Sequence, residues 1–280
     1  MPRFGVSALV NNTTGNNNTA IGPFALFENT TVSNSTAVGH EALRTTNGGM
    51  FNTAVGNQSM RSNTTGGSNV AVGDLTMFNN TTGVDNVAIG RLALNANTVG
   101  INNTAIGSSA IGGLTSGSDN TVVGTFAMPG MQTGSNNVAL GLGAGRYFGT
   151  SFSNNLVCNS SVFIGWNAVP LLGSQTNQIV IGASAVGAGS NTVTLGNTSI
   201  TTTRLRGAVQ GGSFVKDGGT AAQYLMADGT TTTAIKSTYM MTSAQKNAIS
   251  TPALGLIVFD TTLNKLCVRG LTNWETITSI

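Results

Sequence analysis

The chain has 280 residues, of which 38 are glycine, 32 asparagine and 41 threonine, and its formal net charge is +3. Only 8% of the residues are charged, against roughly 25% in an ordinary globular domain, and the basic residues form no cluster of the kind that a nucleic-acid backbone requires. The hydrophobic fraction of 40% excludes the composition of a disordered chain, and no apolar run is long enough to cross a bilayer, so we expect a repetitive β architecture without membrane insertion.

From its start to residue 141 the sequence repeats with a period of 17 residues. Each repeat follows the pattern Asn-Thr-Ala-Ile-Gly-x-x-Ala-Leu, in which β-branched and small residues alternate before the glycine, as they do in a strand. Ile21 is one of the apolar residues before the glycine, and Asn52, Asn69, Asn86 and Asn103 belong to the asparagine column. A period this short allows one solenoid coil per repeat. The repeat glycines are Gly5, Gly22, Gly39, Gly56, Gly73, Gly90, Gly107, Gly124 and Gly141.

We expect each repeat of residues 1–141 to form one coil of a parallel β-solenoid, with a strand, a bend, a second short strand ending at the leucine, and a turn at a second glycine. Stacked coils would place identical residues about 4.8 Å apart, so that asparagine and threonine side chains form ladders. One coil buries too little apolar surface to be stable alone, and its alanine and glycine face would allow close approach of another backbone. The predicted fold is an all-β solenoid shaft in a homo-oligomer.

The period breaks in residues 142–200, where the later glycines follow at irregular intervals. Extra residues in a solenoid coil become lateral loops, and the insertion around residues 142–161 contains an aromatic cluster in an aromatic-poor chain. Two roles are open for it, a contact with a ligand on the side of the shaft or a loop that covers an apolar seam between subunits. The aromatic candidates for contact with a receptor or partner are Tyr147, Phe148 and Phe152.

Two smaller segments follow the shaft. Residues 201–234 are predicted to be a neck and a short β module with two Asp-Gly hairpin turns. In residues 235–280, Thr242 or Ser243 would cap a short helix, and two apolar runs would pair as a hairpin across a turn at residues 260–264.

The module of residues 235–280 is mostly β, and we expect it to close the shaft and keep the subunits in register. Tyr239 and Trp274 are of the residue types found at the energetic centres of interfaces. Two positions are open for these aromatic side chains, an interface with a receptor or partner and the small core of the module itself.

Chemical groups for catalysis are scarce. His40 is the only histidine, and its variable position after a repeat glycine predicts a solvated side chain. The acidic residues are scattered singly, so neither the paired carboxylates of a glycosidase nor a metal site can be assembled. Cys158 and Cys267 are expected to be free and buried, and the periodic Asn-x-Ser/Thr sequences are explained by ladder composition. We predict no enzymatic activity, no catalytic residue, no metal and no cofactor.

The repeat resembles two known families. Its columns are similar to the head repeats of trimeric autotransporter adhesins and, more closely, to the 17-residue Asn-Thr-Ala-Ile-Gly-x-x-Ala-Leu arrays of phage tail fibres. The resemblance covers about residues 1–200 and implies a homotrimeric, left-handed parallel β-roll. The sequence Met-Thr-Ser-Ala-Gln-Lys-Asn-Ala-Ile, followed by Gly-Leu-Ile-Val-Phe-Asp and Trp-Glu, is similar to a C-terminal module of phage tail proteins.

These resemblances imply a structural fibre of a phage or phage-like particle that serves host attachment or receptor binding. It would be assembled in the host cytoplasm, belong to the virion and contact a host surface glycan or protein. Residues 1–16 would contact another virion or fibre protein, or another copy of the chain. Two alternatives are open: a cell-surface adhesin head, for which a signal peptide and a membrane anchor are missing, and a polysaccharide depolymerase, for which candidate residues are missing.

Overall fold

The computed structural model describes residues 3–148, 153–154, 157–202, 224–225, 231–232, 239–249, 257–263, 265–269 and 273–276. The chain divides into two compact units, Met1–Thr203 and Arg204–Ile280. The predicted neck and the Asp-Gly turns of residues 201–234 lie almost wholly outside the described residues.

The first unit is a parallel β-solenoid. Its strands, within the described residues, are β1 (Arg3–Phe4), β2 (Thr19–Ile21), β3 (Thr36–Val38), β4 (Thr53–Val55), β5 (Val70–Val72), β6 (Val87–Ile89), β7 (Thr104–Ile106), β8 (Thr121–Val123), β9 (Val138–Leu140), β10 (Tyr147–Phe148), β11 (Ser153–Asn154), β12 (Val162–Ile164), β13 (Ile179–Ile181) and β14 (Val193–Leu195). All except β10 and β11 form one 12-stranded sheet in chain order. Neighbouring strands run parallel with equivalent repeat positions side by side, for example Ala54 beside Ala71 and Ile89 beside Ile106. The predicted all-β repeat solenoid is confirmed.

Backbone hydrogen bonds join each coil to both of its neighbours. In the second coil, Gly22 N donates to Phe4 O at 2.6 Å in the preceding coil, and Thr19 N donates to Ser35 O at 2.9 Å in the following one. Gly22 has a φ of 123°, and a Cβ added to it would lie 2.6 Å from the carbonyl carbon of Gly39. The repeat glycine is therefore required both for the turn and for the close stacking of coils.

The predicted second strand after the repeat glycine is wrong, because this segment is a series of turns. Phe24 and Leu26 have φ values of 58° and 50°, and the equivalent residues of most other coils lie in the same region. Residues other than glycine rarely adopt this left-handed backbone conformation, which costs roughly 1–2 kcal/mol per residue. Backbone hydrogen bonds to the neighbouring coils offset this cost, since Phe24 N donates to Val6 O at 2.9 Å and Leu26 N donates to Ala42 O at 3.0 Å.

The prediction that the alanine face of the strands meets another chain is also wrong. Strand alanines such as Ala54 and Ala71 are fully buried inside their own coil, in one cluster with the leucine and methionine column represented by Leu94. The opposite face of the strands points outward, and Ile21 and Ile89 are each 40% exposed. A strand pattern with period two defines two faces but does not say which of them is enclosed.

A ladder of asparagine side chains runs inside the coils. Asn86 Nδ2 donates to Asn69 Oδ1 at 3.1 Å and to Gly100 O at 2.9 Å, while Asn86 Oδ1 accepts from the backbone N and the Nδ2 of Asn103. Asn52 begins the same run and is fully buried. Every amide in this run is paired because an unpaired polar group inside the coil would be costly.

A second ladder explains the Asn-x-Ser/Thr sequences. Asn80 Nδ2 donates to Asn63 Oδ1 at 2.8 Å, and Asn97 Nδ2 donates to Asn80 Oδ1 at 2.9 Å. Asn29, Asn63 and Asn80, which begin such sequences, are fully buried. Their side chains therefore serve the ladder, as predicted.

The insertion leaves the coil stack, because β9 pairs directly with β12 and places Val138 opposite Val162. The intervening β10 and β11 form a separate two-stranded antiparallel sheet. At this level Gly145 occupies the leucine position of the coil, and Phe163 occupies a strand alanine position. A Cβ added to Gly145 would lie 2.7 Å from Met128 Cγ and 3.3 Å from Phe163 Cδ2, so these two side chains together fill the space that a leucine would otherwise occupy.

The second unit contains β15 (Tyr224–Leu225), β16 (Thr231–Thr232), β17 (Tyr239–Met241), α1 (Ser243–Asn247), β18 (Ile257–Asp260), β19 (Lys265–Arg269) and β20 (Trp274–Thr276) among its described residues. Strands β15 and β16 pair antiparallel, and β17 to β20 form one sheet in chain order. Thr242 caps α1, since its Oγ1 accepts from Gln245 N and Gln245 Oε1 accepts from Thr242 N at 2.9 Å. The predicted helix and the predicted β18–β19 hairpin are both confirmed.

Candidate functional site

A shallow depression of about 340 Å³ lies on the flank of the solenoid, on the turn segments that follow the strands. We call it the flank depression, and its lining residues are Leu92, Asn95, Ser109, Gly112, Gly113, Phe126 and Pro129. Gly112 stands at the fifth position after a repeat glycine, where earlier coils have larger side chains. These are Phe27, Arg44, Arg61, Phe78 and Asn95.

Phe126, which lines the depression, is held in place by Arg146 of the following coil. The Arg146 Cζ atom lies 4.8 Å from the centroid of the Phe126 ring and 4.5 Å from the centroid of the Tyr147 ring. Cation–π contacts of this kind contribute roughly 0.5–2 kcal/mol. Phe126 nevertheless stays 40% exposed, so its ring is both oriented and accessible.

The structure describes some of the predicted contact residues in full and others only in part or not at all. Tyr147 shares the Arg146 guanidinium with Phe126 and therefore lies near the depression. Phe148 contributes its backbone to β10, but its side chain and the whole of Phe152 lie outside the described residues. Tyr239 likewise contributes backbone to β17, and its side chain lies outside the described part.

A charged group of side chains occupies the same flank in earlier coils. Glu41 Oε2 accepts from Arg61 Nε at 2.7 Å and from Gln58 Nε2 at 2.8 Å, and Arg44 Nε lies 3.6 Å from Glu41 Oε1. Burial raises the pKa of Glu41, but these hydrogen bonds and the two guanidinium charges together lower the pKa below its ordinary value. The two guanidinium groups share the one carboxylate of the group. His40 is exposed, as predicted.

Trp274 borders a buried ion pair in the second unit. Lys246 Nζ lies 2.8 Å from Asp260 Oδ2, 3.4 Å from Cys267 Sγ and 5.9 Å from the centroid of the Trp274 ring. Ser243 Oγ donates to Asp260 Oδ2 at 2.7 Å. These contacts join α1, β18, β19 and β20 in one cluster.

The ion pair is maintained by hydrogen bonds to both partners. Burial raises the pKa of Asp260, but donation from Lys246, Ser243 and the backbone N–H groups of Leu263 and Thr262 lowers the pKa to about 2. The hydrogen bond to Asp260 raises the pKa of Lys246 above its ordinary value, against the opposing effect of burial. Both side chains are therefore charged across the neutral range.

Cys158 and Cys267 are both buried, and Cys267 is a free thiol, as predicted. Within the described ranges, no three His, Cys, Asp or Glu side chains come together as potential ligands of a metal ion. No helix in the described part of the chain has the length and apolar character needed to cross a membrane.

Sequence reasoning missed the flank depression, because its walls come from variable repeat positions. Phe126 and Ser109 both stand two residues after a repeat glycine, and Gly112 stands five residues after one. The available signal was the Gly112-Gly113 pair, which interrupts a column of larger side chains.

Comparison with known proteins adds no family: no family model, curated protein or solved structure matches the chain.

Proposed function

We propose that the chain is a structural fibre of a phage or phage-like particle, that it assembles as a homotrimer and that it serves attachment to a host cell. The observation that most supports the proposal is the uniform coil stack with one apolar face turned outward. At about 4.8 Å per coil, 12 strands give a continuous shaft about 50 Å long. Such a shaft is a suitable spacer between a particle and a surface.

The outward face of the sheet supports the homotrimer. Ile21, Ile89, Ile106, Leu140 and Ile181 occupy the same strand position and are 36–40% exposed. Since the strands pair in register, these side chains form one continuous apolar stripe rather than the scattered residues of an ordinary surface. Continuous apolar surface is typical of interaction sites, and identical stripes on identical chains can pack around a symmetry axis. The number three and the left-handed coil come from the family resemblance.

The remaining parts of the proposal follow from the same resemblance. The fibre is assembled in the host cytoplasm and belongs to the virion, and its coil of residues 1–16 contacts another virion or fibre protein. Among the described residues, β1 is paired along one edge only, with β2, and an unpaired strand edge is a template for such a contact. The partner at the host is a surface glycan or protein, and no catalytic step is proposed.

Labelling of particles tests the function. An antibody raised against the purified full chain should decorate fibres on particles from a culture that produces the protein, and it should block adsorption of those particles to host cells. Decoration of the bacterial surface without particles would contradict the fibre and favour the adhesin alternative. Release of oligosaccharides from capsular polysaccharide by the purified chain would favour the depolymerase.

A further inference from the structure

We infer that the flank depression binds one pyranose ring of an uncharged glycan, stacked against Phe126. The inference rests on the proposed function, because it names the chemical class of the host-surface partner and the place on the shaft where it binds.

The aromatic wall provides a platform for the apolar face of a sugar. The Arg146 guanidinium lies over the Phe126 ring at 4.8 Å, and the ring still lines the depression and is 40% exposed. An aromatic face is electron-rich, so it attracts the weakly positive C–H groups on one side of a pyranose. Because Arg146 orients the ring before binding, little side-chain entropy remains to be lost.

Two polar side chains border the platform at hydrogen-bonding positions. Asn95 Nδ2 donates to Leu75 O at 2.8 Å, which orients the amide, and no described residue donates to its Oδ1. Within the described part of the chain, the Ser109 hydroxyl also has no hydrogen-bond partner. An amide oxygen and a hydroxyl next to an aromatic ring can bond the hydroxyl groups of a sugar while its C–H face is covered.

Other classes of ligand fit these residues less well. None of the lining residues is charged, and Arg146 does not line the depression, since its guanidinium lies over the Phe126 ring and its Nε is buried, so the lining matches neither an anion nor a metal ion. The floor cannot add a peptide strand, because Gly113 N already donates to Pro129 O at 2.9 Å and Gly112 O already accepts from Ala96 N at 2.9 Å. The volume of about 340 Å³ lies at the lower end of the roughly 300–1,000 Å³ of small-molecule sites, which suits one ring better than a lipid.

Saturation-transfer NMR on the full chain tests the inference with four probes. Three are uncharged, the methyl pyranosides of glucose, galactose and mannose, and N-acetylneuraminic acid is the charged comparison. Two variants change the depression and use residues that the same repeat position already has elsewhere. Ser109→Leu fills the depression with the side chain that Leu75 and Leu92 have at the equivalent position of the preceding coils. It leaves the Phe126–Arg146 contact intact. Phe126→Ser removes the platform, and Phe24→Ser is the matched control at the same position in a distant coil.

We expect at least one uncharged pyranoside to bind the native chain and the Phe24→Ser variant alike, with affinity weakened at least about tenfold, or 1.4 kcal/mol, in Ser109→Leu and Phe126→Ser. Equal thermal midpoints would show that the variants are folded. No binding by the three pyranosides, equal binding by all variants, or binding of N-acetylneuraminic acid alone would overturn the inference. Particles with Ser109→Leu fibres that still adsorb would refute this site but not the fibre function, whereas native fibres absent from particles would refute the function itself.

Discussion

Gly145 and Phe163 show how single residues keep the coil filled where the repeat fails. The leucine position of the coil has glycine at 145, and the neighbouring alanine position has phenylalanine at 163, which is fully buried. The phenylalanine ring compensates for the missing leucine, because a Cβ of residue 145 would lie 3.3 Å from Phe163 Cδ2, and Met128 Cγ would lie closer still, at 2.7 Å. The periodic pattern predicted both columns, but it could not show that the two columns face each other inside the coil.

This compensation predicts strong coupling between the two positions. Phe163→Ala should lower the free energy of unfolding by about 3–5 kcal/mol through cavity formation, and Gly145→Leu should lower it by about 1–3 kcal/mol through overpacking. The double variant restores the usual coil composition and removes the contact with Phe163, although the contact with Met128 remains, so urea unfolding should show a loss of stability smaller than the sum of the two single losses. Additive losses would contradict direct packing of the two residues.

The two asparagine ladders should differ in their tolerance of apolar substitution. Asn86→Leu removes one of the two donors to Asn69 Oδ1 and the acceptor of the Asn103 backbone N–H, and the unpaired N–H should cost about 1–3 kcal/mol. Asn97→Leu should cost less, because the next residue of its column is already the buried Leu114. Urea unfolding of both variants measures the difference, and equal losses would show that the ladders are energetically equivalent.

At the scale of elements, the sequence was most informative where local chemistry decides the conformation. The capping box of α1 and the turn before β19 are local signals, and both elements form where they were predicted. The segment after each repeat glycine was predicted incorrectly, because the left-handed conformation of residues such as Leu26 is imposed by bonds to the neighbouring coils and not by propensity. The flank depression depends on side chains from three consecutive coils, which a single repeat does not specify.

The ion pair between α1 and β18 predicts that the second unit is sensitive to acid. The pKa of Asp260 falls from 3.8 to about 2 on folding, so its contribution to stability is complete above about 3.8 and is lost as the pH falls towards 2. In a Trp166→Phe background, fluorescence of Trp274 should report unfolding across this window. Glu275→Gln, at an exposed neighbouring position, should leave the transition unchanged, whereas Asp260→Asn should remove the pH dependence. An unchanged acid transition in Asp260→Asn would show that another group controls it.

At the scale of the whole molecule, the scarcity of charge has a physical cause. Equivalent side chains of successive coils lie about 4.8 Å apart, so a charge repeated at one position would repel its neighbours along the entire shaft. Where charges do follow one another they are neutralised: Asp74 and Arg91 alternate in sign at one position, and Arg44 and Arg61, which repeat at another, both contact the carboxylate of Glu41. Apolar residues can repeat without this cost, which allows an uninterrupted stripe to form on the outward face of the sheet.

The stripe predicts a defined assembly. Light scattering should give a mass about three times the 28.3 kDa of the chain. Substituting Ile89→Lys and Ile106→Lys together should shift the mass to that of one chain, because two ammonium groups per subunit would be buried at the interface. Ser108→Lys, at the position where the preceding coil has Arg91, is the matched control and should leave the mass unchanged. A native mass of one chain, or a double variant with the native mass, would contradict an interface on this face.

The direct pairing of β9 with β12 across the insertion means that the length of the shaft and its surface decoration are separable properties. A change of one whole period alters the length by one coil and leaves every remaining side chain on the flank where it was. Extra residues between two coils, in contrast, are excluded from the stack and alter only the outside. Evolution, or a designer, can therefore change the length of the shaft in steps of about 4.8 Å without changing its surface. The side chains and loops on its surface can likewise be changed without changing its length.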